Sequence, residues 1–325
     1  MRAISYSQFG KPSDVVRVLD VPTPVPGPGE VLLRMHMAPI HNHDLLTVEG
    51  RYGYKPALPA LGGSEGVGTV EVLGEGVSSV QPGQRVAASG LKGAWAEFAI
   101  ARAASVVPLP DAVPDEVGAQ LIAMPLSALT LLEFAEAKQG QWLIQNAATG
   151  AVAKVVSQLA KFRGIHVINL VRRAEAVAEL EVLGIGQTVS TAEDGWKEKV
   201  RALTGGQGIS VAVDSVGGKA SGDLLSLLGE NGLLVSFGLM SGEPMQISSG
   251  DLIFKQATVK GFWLGKLMET MPREQVGRLI GELVKRAASG ELVLQVDGIY
   301  PLAEGSKALA AAAEGGRQGK VLIQL

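Results

Sequence analysis

The sequence predicts an α/β protein of two domains, in which a β-rich domain is followed by a domain built on a doubly wound parallel sheet. The chain of 325 residues is longer than one ordinary hydrophobic core requires. Up to about residue 118, short alternating apolar runs are interrupted by glycine and proline, and beyond it apolar strands alternate with amphipathic helices. We therefore expect a β-rich domain at 1–118, a parallel-sheet domain at 119–268 and a return to the first domain at 269–325.

Composition and charge exclude several classes of protein. The hydrophobic content of 46% and the charged content of 19% are ordinary for a soluble globular protein. The net charge of -3 argues against binding to a nucleic acid. The absence of cysteine excludes disulfides, thiolate zinc sites and cysteine nucleophiles. No apolar run is long enough to span a membrane, and the N-terminus lacks the features of a signal peptide. We expect a cytoplasmic protein with neither nucleic acid nor membrane as a partner.

The first domain is predicted to be a compact, barrel-like arrangement of irregular strands. Alternating runs at 31–37, 67–72 and 95–100 are typical of half-buried strands. Alternate prolines between 22 and 28 predict a stiff connection, and the Gln-Pro-Gly-Gln sequence at 81–84 predicts a tight turn.

The clearest unit of the second domain is a strand at 141–146, a turn of small residues at 147–150 and a helix. Gly164 closes the helix, and a buried strand follows at 165–171. The apolar residues of the helix recur at helical spacing and form one face: Val152, Val155, Val156, Leu159 and Ala160.

Such a unit is suited to hold a pyrophosphate, because the helix N-terminus offers backbone N–H groups and a positive dipole. The motif is imperfect, since Ala151 and Ala153 stand where a strict glycine fingerprint has glycines, although Gly150 is present. The strand–turn–helix context, more than the motif, predicts a dinucleotide site here.

The end of the next strand favours NADPH over NADH. An NAD site usually places an acidic residue at this point to bind the ribose, whereas an arginine accommodates a 2′-phosphate. The chain has Arg172 and Arg173 there and no acidic residue before Glu175. The alternative is that both arginines are simply the solvated start of a helix.

Three further runs, at 210–215, 233–238 and 258–264, predict strands of the same sheet with glycines near their ends. Such glycines let a ligand approach the backbone at the carboxyl edge of the sheet, where sites in α/β proteins form. Each glycine alone is equally typical of an ordinary turn, but their recurrence at successive strand ends favours a ligand site. Beyond residue 270 we expect a helix at 275–286 and a last strand at 320–325.

Four segments together resemble the medium-chain dehydrogenase/reductase superfamily, and the resemblance runs from end to end of the chain. They are the sequences at 49–53, 143–148, 252–255 and 261–264. They are most similar to the zinc-independent branch of quinone oxidoreductases and 2-enoyl thioester reductases. The resemblance implies a GroES-like catalytic domain, a Rossmann domain that binds NADPH, and a homodimer.

The resemblance also implies the residues of the site. In this family the tyrosine that matches Tyr52 is the proposed proton donor, and Tyr54 is its nearest rival in this chain. The residues that match the NADPH site are Thr149, Gly150, Ala151, Val152, Arg172, Arg173, Phe237, Gly238, Leu239, Met240, Phe262, Trp263, Leu264 and, nearby, Lys320. The alternative for Tyr52 is a tyrosine that only packs at the rim of the nicotinamide cleft.

A zinc-dependent dehydrogenase is a weaker alternative. A catalytic zinc needs three protein ligands, and zinc alcohol dehydrogenases take two of them from cysteine. This chain offers His41 and Ser64 at the first two ligand positions and has no cysteine for the third. Four side chains could form a degenerate metal site, namely His41, His43, Asp44 and Glu65. The alternative is that they have structural roles or line the substrate cleft. We expect no metal.

The expected reaction is hydride transfer from NADPH to a small molecule, namely a quinone, an enone or an enoyl thioester. Tyrosine phenols are protonated at neutral pH, so Tyr52 could supply the proton that completes the reduction. Three departures from the enoyl reductase pattern leave acceptance of thioesters open: Met124, the His-Asn-His sequence at 41–43, and Leu267. A second class of function, an NADPH-binding structural or regulatory protein with little turnover, also fits this architecture.

Overall fold

The computed structural model describes residues 1–325, which fold into two compact units. The first unit comprises Met1–Met124 and Ile280–Leu325, and the second comprises Pro125–Leu279. None of its helices has the length and apolar character needed to cross a membrane. The functional boundaries expected from the sequence, after residues 118 and 268, stay a prediction.

Sixteen strands and twelve α-helices make up the two units. The strands are β1 (Arg2–Tyr6), β2 (Val16–Asp20), β3 (Glu30–Pro39), β4 (Ala60–Leu61), β5 (Glu65–Leu73), β6 (Arg85–Ser89), β7 (Phe98–Arg102), β8 (Val106–Pro108), β9 (Trp142–Gln145), β10 (His166–Val171), β11 (Thr188–Ser190), β12 (Ile209–Asp214), β13 (Leu228–Ser236), β14 (Thr258–Gly261), β15 (Val296–Pro301) and β16 (Lys320–Gln324). The helices are α1 (Pro12–Val15), α2 (Asn42–Val48), α3 (Asp115–Gly118), α4 (Ala123–Phe134), α5 (Ala151–Phe162), α6 (Glu175–Glu181), α7 (Trp196–Leu203), α8 (Lys219–Leu227), α9 (Ser249–Lys255), α10 (Leu264–Met268), α11 (Arg273–Ala288) and α12 (Gly305–Ala313).

The first unit is β-rich and contains a seven-stranded and a three-stranded sheet. The larger sheet has the order β15-β16-β3-β5-β6-β8, with β7 also paired to β3, and the smaller one has the order β2-β1-β4. All of their strand pairs are antiparallel except β15 with β16. Their inner faces share one apolar core around Trp95, Ile4 and Leu33.

One predicted strand of this unit begins later than expected. The sequence predicted a strand at 95–100, and the observed strand β7 starts at Phe98. The difference has a physical reason in Trp95, whose side chain is fully buried and donates from Nε1 to the carbonyl of Pro39 at 3.0 Å. The backbone of Trp95 is meanwhile paired with Ile4 and Gly62, so this residue serves the core and does not extend β7.

The second unit is built on one six-stranded sheet of order β11-β10-β9-β12-β13-β14. Every pair in it is parallel, which confirms the predicted doubly wound α/β domain. The helix α5 follows the predicted bounds and buries Val155, Val156 and Leu159. Its buried face includes Ala153, whereas Val152 is only half-buried. Because all strands run the same way, their carboxyl ends meet at one edge of the sheet.

Candidate active site

The turn between β9 and α5 leaves a helix N-terminus without a side-chain cap. Ala147 takes a left-handed conformation with φ of 49°, and the N–H of Ala148 donates to the carbonyl of Leu170 at 3.1 Å. Gly150 is the N-cap residue, and no side chain bonds to the first-turn N–H groups of α5. Such groups have no acceptor within their own helix, and they carry the positive end of its dipole. This arrangement fits a bound pyrophosphate.

A buried amide fixes α5 against the sheet. The Nε2 atom of Gln145 lies within hydrogen-bond distance of three acceptors, the carbonyl of Ala153, Ser157 Oγ and Asn169 Oδ1, at 2.8, 3.0 and 2.8 Å, and its two protons are shared among them. Ser157 Oγ in turn donates to Asn169 Oδ1 at 2.9 Å. Sequence reasoning missed this network, although an amide side chain in each of two otherwise apolar strands was a visible signal. The network holds the helix N-terminus at a fixed position relative to β9 and β10.

The two arginines after β10 differ in their availability to a ligand. Arg173 forms an ion pair with Glu179 at 2.9 Å, and Glu175 lies 4.0 Å from it. The guanidinium of Arg172 has no ion-pair or hydrogen-bond partner in the structure, and the residue is exposed. Arg172 is therefore the better candidate for a 2′-phosphate.

Backbone hydrogen bonds hold the loops after β12, β13 and β14 side by side. The N–H of Met240 donates to the carbonyl of Ser215 at 3.2 Å, and that of Phe262 donates to Ser236 at 2.9 Å. The loops approach so closely that a Cβ on Gly238 would lie 2.7 Å from the carbonyl oxygen of Ser215. Only glycine fits at this position without displacing the backbone.

Aromatic and apolar side chains line these loop ends. The rings of Phe237 and Phe262 lie 5.7 Å apart, and Phe262 is buried. Three neighbours are largely exposed, namely Leu239 at 79%, Met240 at 70% and Trp263 at 55%. The predicted segments 237–240 and 262–264 thus come together at the carboxyl edge of the sheet. The predicted residues 149–152 follow β9 at the same edge. Exposed apolar side chains at such an edge are suited to cover an apolar ligand.

The loop that carries Tyr52 is tied back to α2 in the first unit. The N–H groups of Arg51 and Tyr52 both donate to the carbonyl of Leu46, at 2.8 and 3.1 Å. Gly50 has φ of 72°, and a Cβ there would lie 2.8 Å from the ring of Phe9. The Tyr52 side chain is half-buried, with its ring centroid 5.7 Å from that of His43.

Behind this loop lies a buried pair of titratable groups, His41 and Glu65. Both side chains are fully buried, and His41 Nε2 lies 2.6 Å from Glu65 Oε2. The other oxygen of Glu65 accepts from the N–H groups of Ile122 and Ala123, at 2.6 and 2.8 Å. Burial raises the pKa of Glu65 to about 7 and lowers the pKa of His41 well below its usual range. Both shifts favour an uncharged pair that shares one proton.

Asp44 and Ser64 connect this pair to His43. Asp44 accepts from the backbone N–H of His41 at 2.9 Å and from Ser64 Oγ at 2.7 Å. Ser64 Oγ also lies 2.7 Å from His43 Nε2, and the rings of His41 and His43 stack at 5.0 Å. The sequence analysis named four residues as an alternative metal site, namely His41, His43, Asp44 and Glu65, and did not foresee the connection through Ser64. In residues 1–325, no group of three or more histidine or acidic side chains is placed to hold a metal ion.

Lys320 belongs to the first unit, at the start of β16. Burial lowers the pKa of its ammonium to about 8, with a smaller contribution from the charge of Arg317, while Asp44 and Glu65 act in the opposite direction. The Lys320 ammonium therefore adds a positive charge near the polar cluster, which consists of His41, His43, Asp44, Ser64 and Glu65. Tyr52 and Lys320 lie in the first unit, and the other predicted site residues lie in the second.

Fold and site together describe a two-unit α/β protein equipped to bind a dinucleotide. Two family models match the chain: the alcohol dehydrogenase GroES-like domain over residues 27–111, and the domain described as zinc-binding dehydrogenase over residues 151–281. A mitochondrial enoyl-[acyl-carrier-protein] reductase of Arabidopsis thaliana is 33% identical over 99% of this chain and 88% of its own length.

Solved structures of quinone oxidoreductases also match the whole chain. Quinone oxidoreductase of Escherichia coli, complexed with NADPH, superposes with a TM-score of 0.89 at 27% identity over 100% of both chains. A mycobacterial quinone oxidoreductase gives a TM-score of 0.88 at 30% identity, again over 100% of both chains. The chain belongs to the medium-chain dehydrogenase/reductase superfamily, in its zinc-independent branch of quinone oxidoreductases and enoyl reductases. This confirms the resemblance drawn from the sequence.

Proposed function

We propose that this protein is a metal-independent oxidoreductase that uses NADPH to reduce a quinone or an α,β-unsaturated carbonyl compound, including an enoyl thioester. The observation that carries the proposal is the uncapped N-terminus of α5 in the same unit as the unpaired guanidinium of Arg172. The first suits a pyrophosphate and the second a 2′-phosphate. Two relatives support the chemistry, since one holds NADPH and another is named for enoyl reduction.

In this proposal the second unit holds the cofactor. Residues 149–152 bind the pyrophosphate through their backbone, Arg172 binds the 2′-phosphate, and the segments 237–240 and 262–264 line the rest of the dinucleotide. When bound, NADPH supplies a hydride, while the protein orients it and excludes water. The family resemblance supports a position near the cofactor for Lys320 in this proposal.

Tyr52 is proposed to supply the proton that completes the reduction. Its phenol sits on a loop held by two backbone hydrogen bonds, so the hydroxyl is carried by a defined backbone position. The O–H bond breaks as its proton passes to the reduced substrate, and a positioned acid of this kind accelerates such a step.

Steady-state turnover with a panel of acceptors tests the proposal. The panel contains a benzoquinone, a simple enone and a crotonyl thioester, each with NADPH and with NADH, followed by loss of the reduced cofactor's absorbance. We expect turnover with NADPH and at least one acceptor, and no loss of activity with a metal chelator. Tight NADPH binding without oxidation by any acceptor would favour the structural or regulatory alternative. Comparison of the enone with the thioester decides whether the departures at Met124 and 41–43 exclude acyl thioesters.

Replacing Arg172 with alanine is expected to raise KM for NADPH about tenfold or more and to leave KM for NADH unchanged. The reason is that a hydrogen bond to a charged group contributes about 1.5–3 kcal/mol. Arg173→Ala is the matched control, because Arg173 is already paired with Glu179 at 2.9 Å. Equal effects of the two substitutions, or an equal effect on NADH, would contradict this assignment.

We also propose a homodimer that forms along the edge of the second unit's sheet. β14 is an edge strand with a partner on one side only. The helix before it exposes Ile253 at 62% and Phe254 at 85%. An unpaired strand edge flanked by exposed apolar side chains is typical of an interface.

Phe254→Glu is expected to shift the protein from dimer to monomer in light scattering coupled to gel filtration. Val182→Glu is the matched control, because Val182 is 86% exposed in the same unit but far along the chain from β14. A monomeric wild-type protein, or dimers in both variants, would contradict the proposed interface. We further propose that the protein is cytoplasmic and that its functional domains end after residues 118 and 268.

A further inference from the structure

His43 lies between the buried His41 and the candidate proton donor Tyr52. Its ring stacks on His41 at 5.0 Å on one side and contacts Tyr52, at 5.7 Å between ring centroids, on another. A quarter of its side chain is exposed, whereas His41 is fully buried. His43 is thus a titratable side chain that touches both the candidate donor and solvent.

The hydrogen bonds around His43 fix which of its nitrogens carries a permanent proton. Ser64 has one hydroxyl proton, and it donates that proton to Asp44 Oδ1 at 2.7 Å. His43 Nε2 lies 2.7 Å from the same hydroxyl oxygen, so Nε2 must be the donor in that contact. The nitrogen that gains and loses a proton is therefore Nδ1. Asp44 Oδ1, 3.5 Å from Nε2, is the counter-charge for the ring when both nitrogens are protonated.

We propose that His43 returns a proton to Tyr52 after each turnover and so acts as a proton relay between solvent and the donor. This rests on the proposed function, in which Tyr52 gives its proton to the reduced substrate. The Nδ1–H bond of the His43 imidazolium then breaks, and the O–H bond of Tyr52 re-forms, directly or through one water. Neutral His43 takes its next proton from solvent through its exposed quarter. Each hydride delivered is thus matched by one proton from solvent.

Other charged groups around His43 do not compete for this role. From α2 and its N-cap it faces Asp44 and His41, and from β5 it faces Glu65. Lys320 on β16 reaches this cluster through its effect on His41. His41 and Glu65 are fully buried and bonded to each other, so neither can exchange a proton with solvent as His43 can.

The rate of the first turnover, compared with the rate of later turnovers, tests whether His43 acts as a relay. In His43→Gln the amide N–H still donates to Ser64, but no titratable nitrogen remains next to Tyr52. We expect the first equivalent of NADPH to be oxidised at the wild-type rate, because a tyrosine phenol carries a proton at neutral pH. Later turnovers should slow about a hundredfold, the lower end of what a positioned proton-transfer group contributes. Tyr52→Phe should be slow from the first turnover, and the double variant should be no slower than Tyr52→Phe alone.

His36→Gln is the matched control. His36 also lies between a carboxylate and a hydroxyl in the first unit, at 2.9 Å from Asp115 and 2.9 Å from Thr69. The His36→Gln variant should match the wild-type rate in the first turnover and in the later ones. A second variant, His43→Ala, leaves room for free imidazole, which should restore part of its steady-state rate.

Several outcomes would overturn the relay. One is a His43→Gln steady state that equals wild type, and another is a first turnover that slows together with the later ones. Independent, multiplying losses in the double variant would also count against action through Tyr52. If none of the acceptors supports oxidation of NADPH by the wild-type protein, the proposed function itself is wrong. Normal wild-type turnover with unaffected His43 variants defeats the relay alone.

Discussion

Tyr52→Phe is expected to lower kcat for enone or quinone reduction about 1,000-fold while leaving NADPH binding unchanged. The magnitude follows from the contribution of a positioned general acid, about 10²–10⁴-fold. Phenylalanine keeps the ring that contacts His43 at 5.7 Å and removes only the hydroxyl, so packing of the loop should survive. NADPH binding measured by fluorescence separates loss of the proton donor from loss of the cofactor.

Tyr54→Phe is the control for this experiment. Tyr54 lies on the same loop and is 49% exposed, and we expect its removal to leave kcat close to that of the wild-type protein. Turnover of Tyr52→Phe near the wild-type value would show that Tyr52 is a rim residue, as the sequence left open. A large loss confined to Tyr54→Phe would move the donor role to that residue.

Between pH 5 and pH 8 the free energy of unfolding of the wild-type protein is expected to fall by roughly 2–3 kcal/mol more than that of Glu65→Gln. Burial raises the pKa of Glu65 from 4.5 to about 7, and each pKa unit corresponds to about 1.36 kcal/mol. A raised pKa means that the stability linked to this group is complete below pH 4.5 and is lost as the pH rises through about 7. Glutamine does not titrate, and its amide oxygen can still accept from Ile122 and Ala123.

Urea unfolding of both proteins at pH 5 and pH 8 measures this difference. Glu71→Gln is the control on the same strand, because Glu71 is paired with Arg34 at 2.7 Å and that hydrogen bond lowers its pKa. The control should show no gain at the higher pH. An identical pH dependence of unfolding in the wild-type and Glu65→Gln proteins would mean that Glu65 is ionised throughout this range.

Those parts of the fold that rest on local periodicity were predictable from the sequence. The helix α5 begins at Ala151 as predicted, because its apolar residues repeat at helical spacing after a turn of small residues. The neighbouring strands β9 and β10 are largely apolar apart from Gln145, His166 and Asn169, which is typical of parallel strands covered on both faces. Where a single large side chain overrode the local pattern, as at Trp95, the predicted strand start was wrong.

The polar cluster could not be predicted in the same way, because its partners are distant in sequence. Glu65 is bonded to His41 on one side and to backbone groups at 122 and 123 on the other. No local pattern specifies such pairings, and the three-dimensional path of the chain alone brings them together. The sequence did place His41, His43, Asp44 and Glu65 in one group, but it could not separate metal ligation from a hydrogen-bonded network. The same applies to Arg172 and Arg173, which differ only through the pairing of Arg173 with Glu179.

The position of β16 in the larger sheet has a consequence for how the protein is made. This strand lies between β15 and β3, and it pairs Leu322 with Pro39 and Gln324 with Met37. The second unit, by contrast, is one continuous segment, Pro125–Leu279. During synthesis on the ribosome the second unit can therefore finish folding while one side of the first unit's sheet still waits for its partner. An unpaired strand edge can pair with other chains, so the nascent chain exposes an aggregation-prone edge on β3 until β16 has emerged.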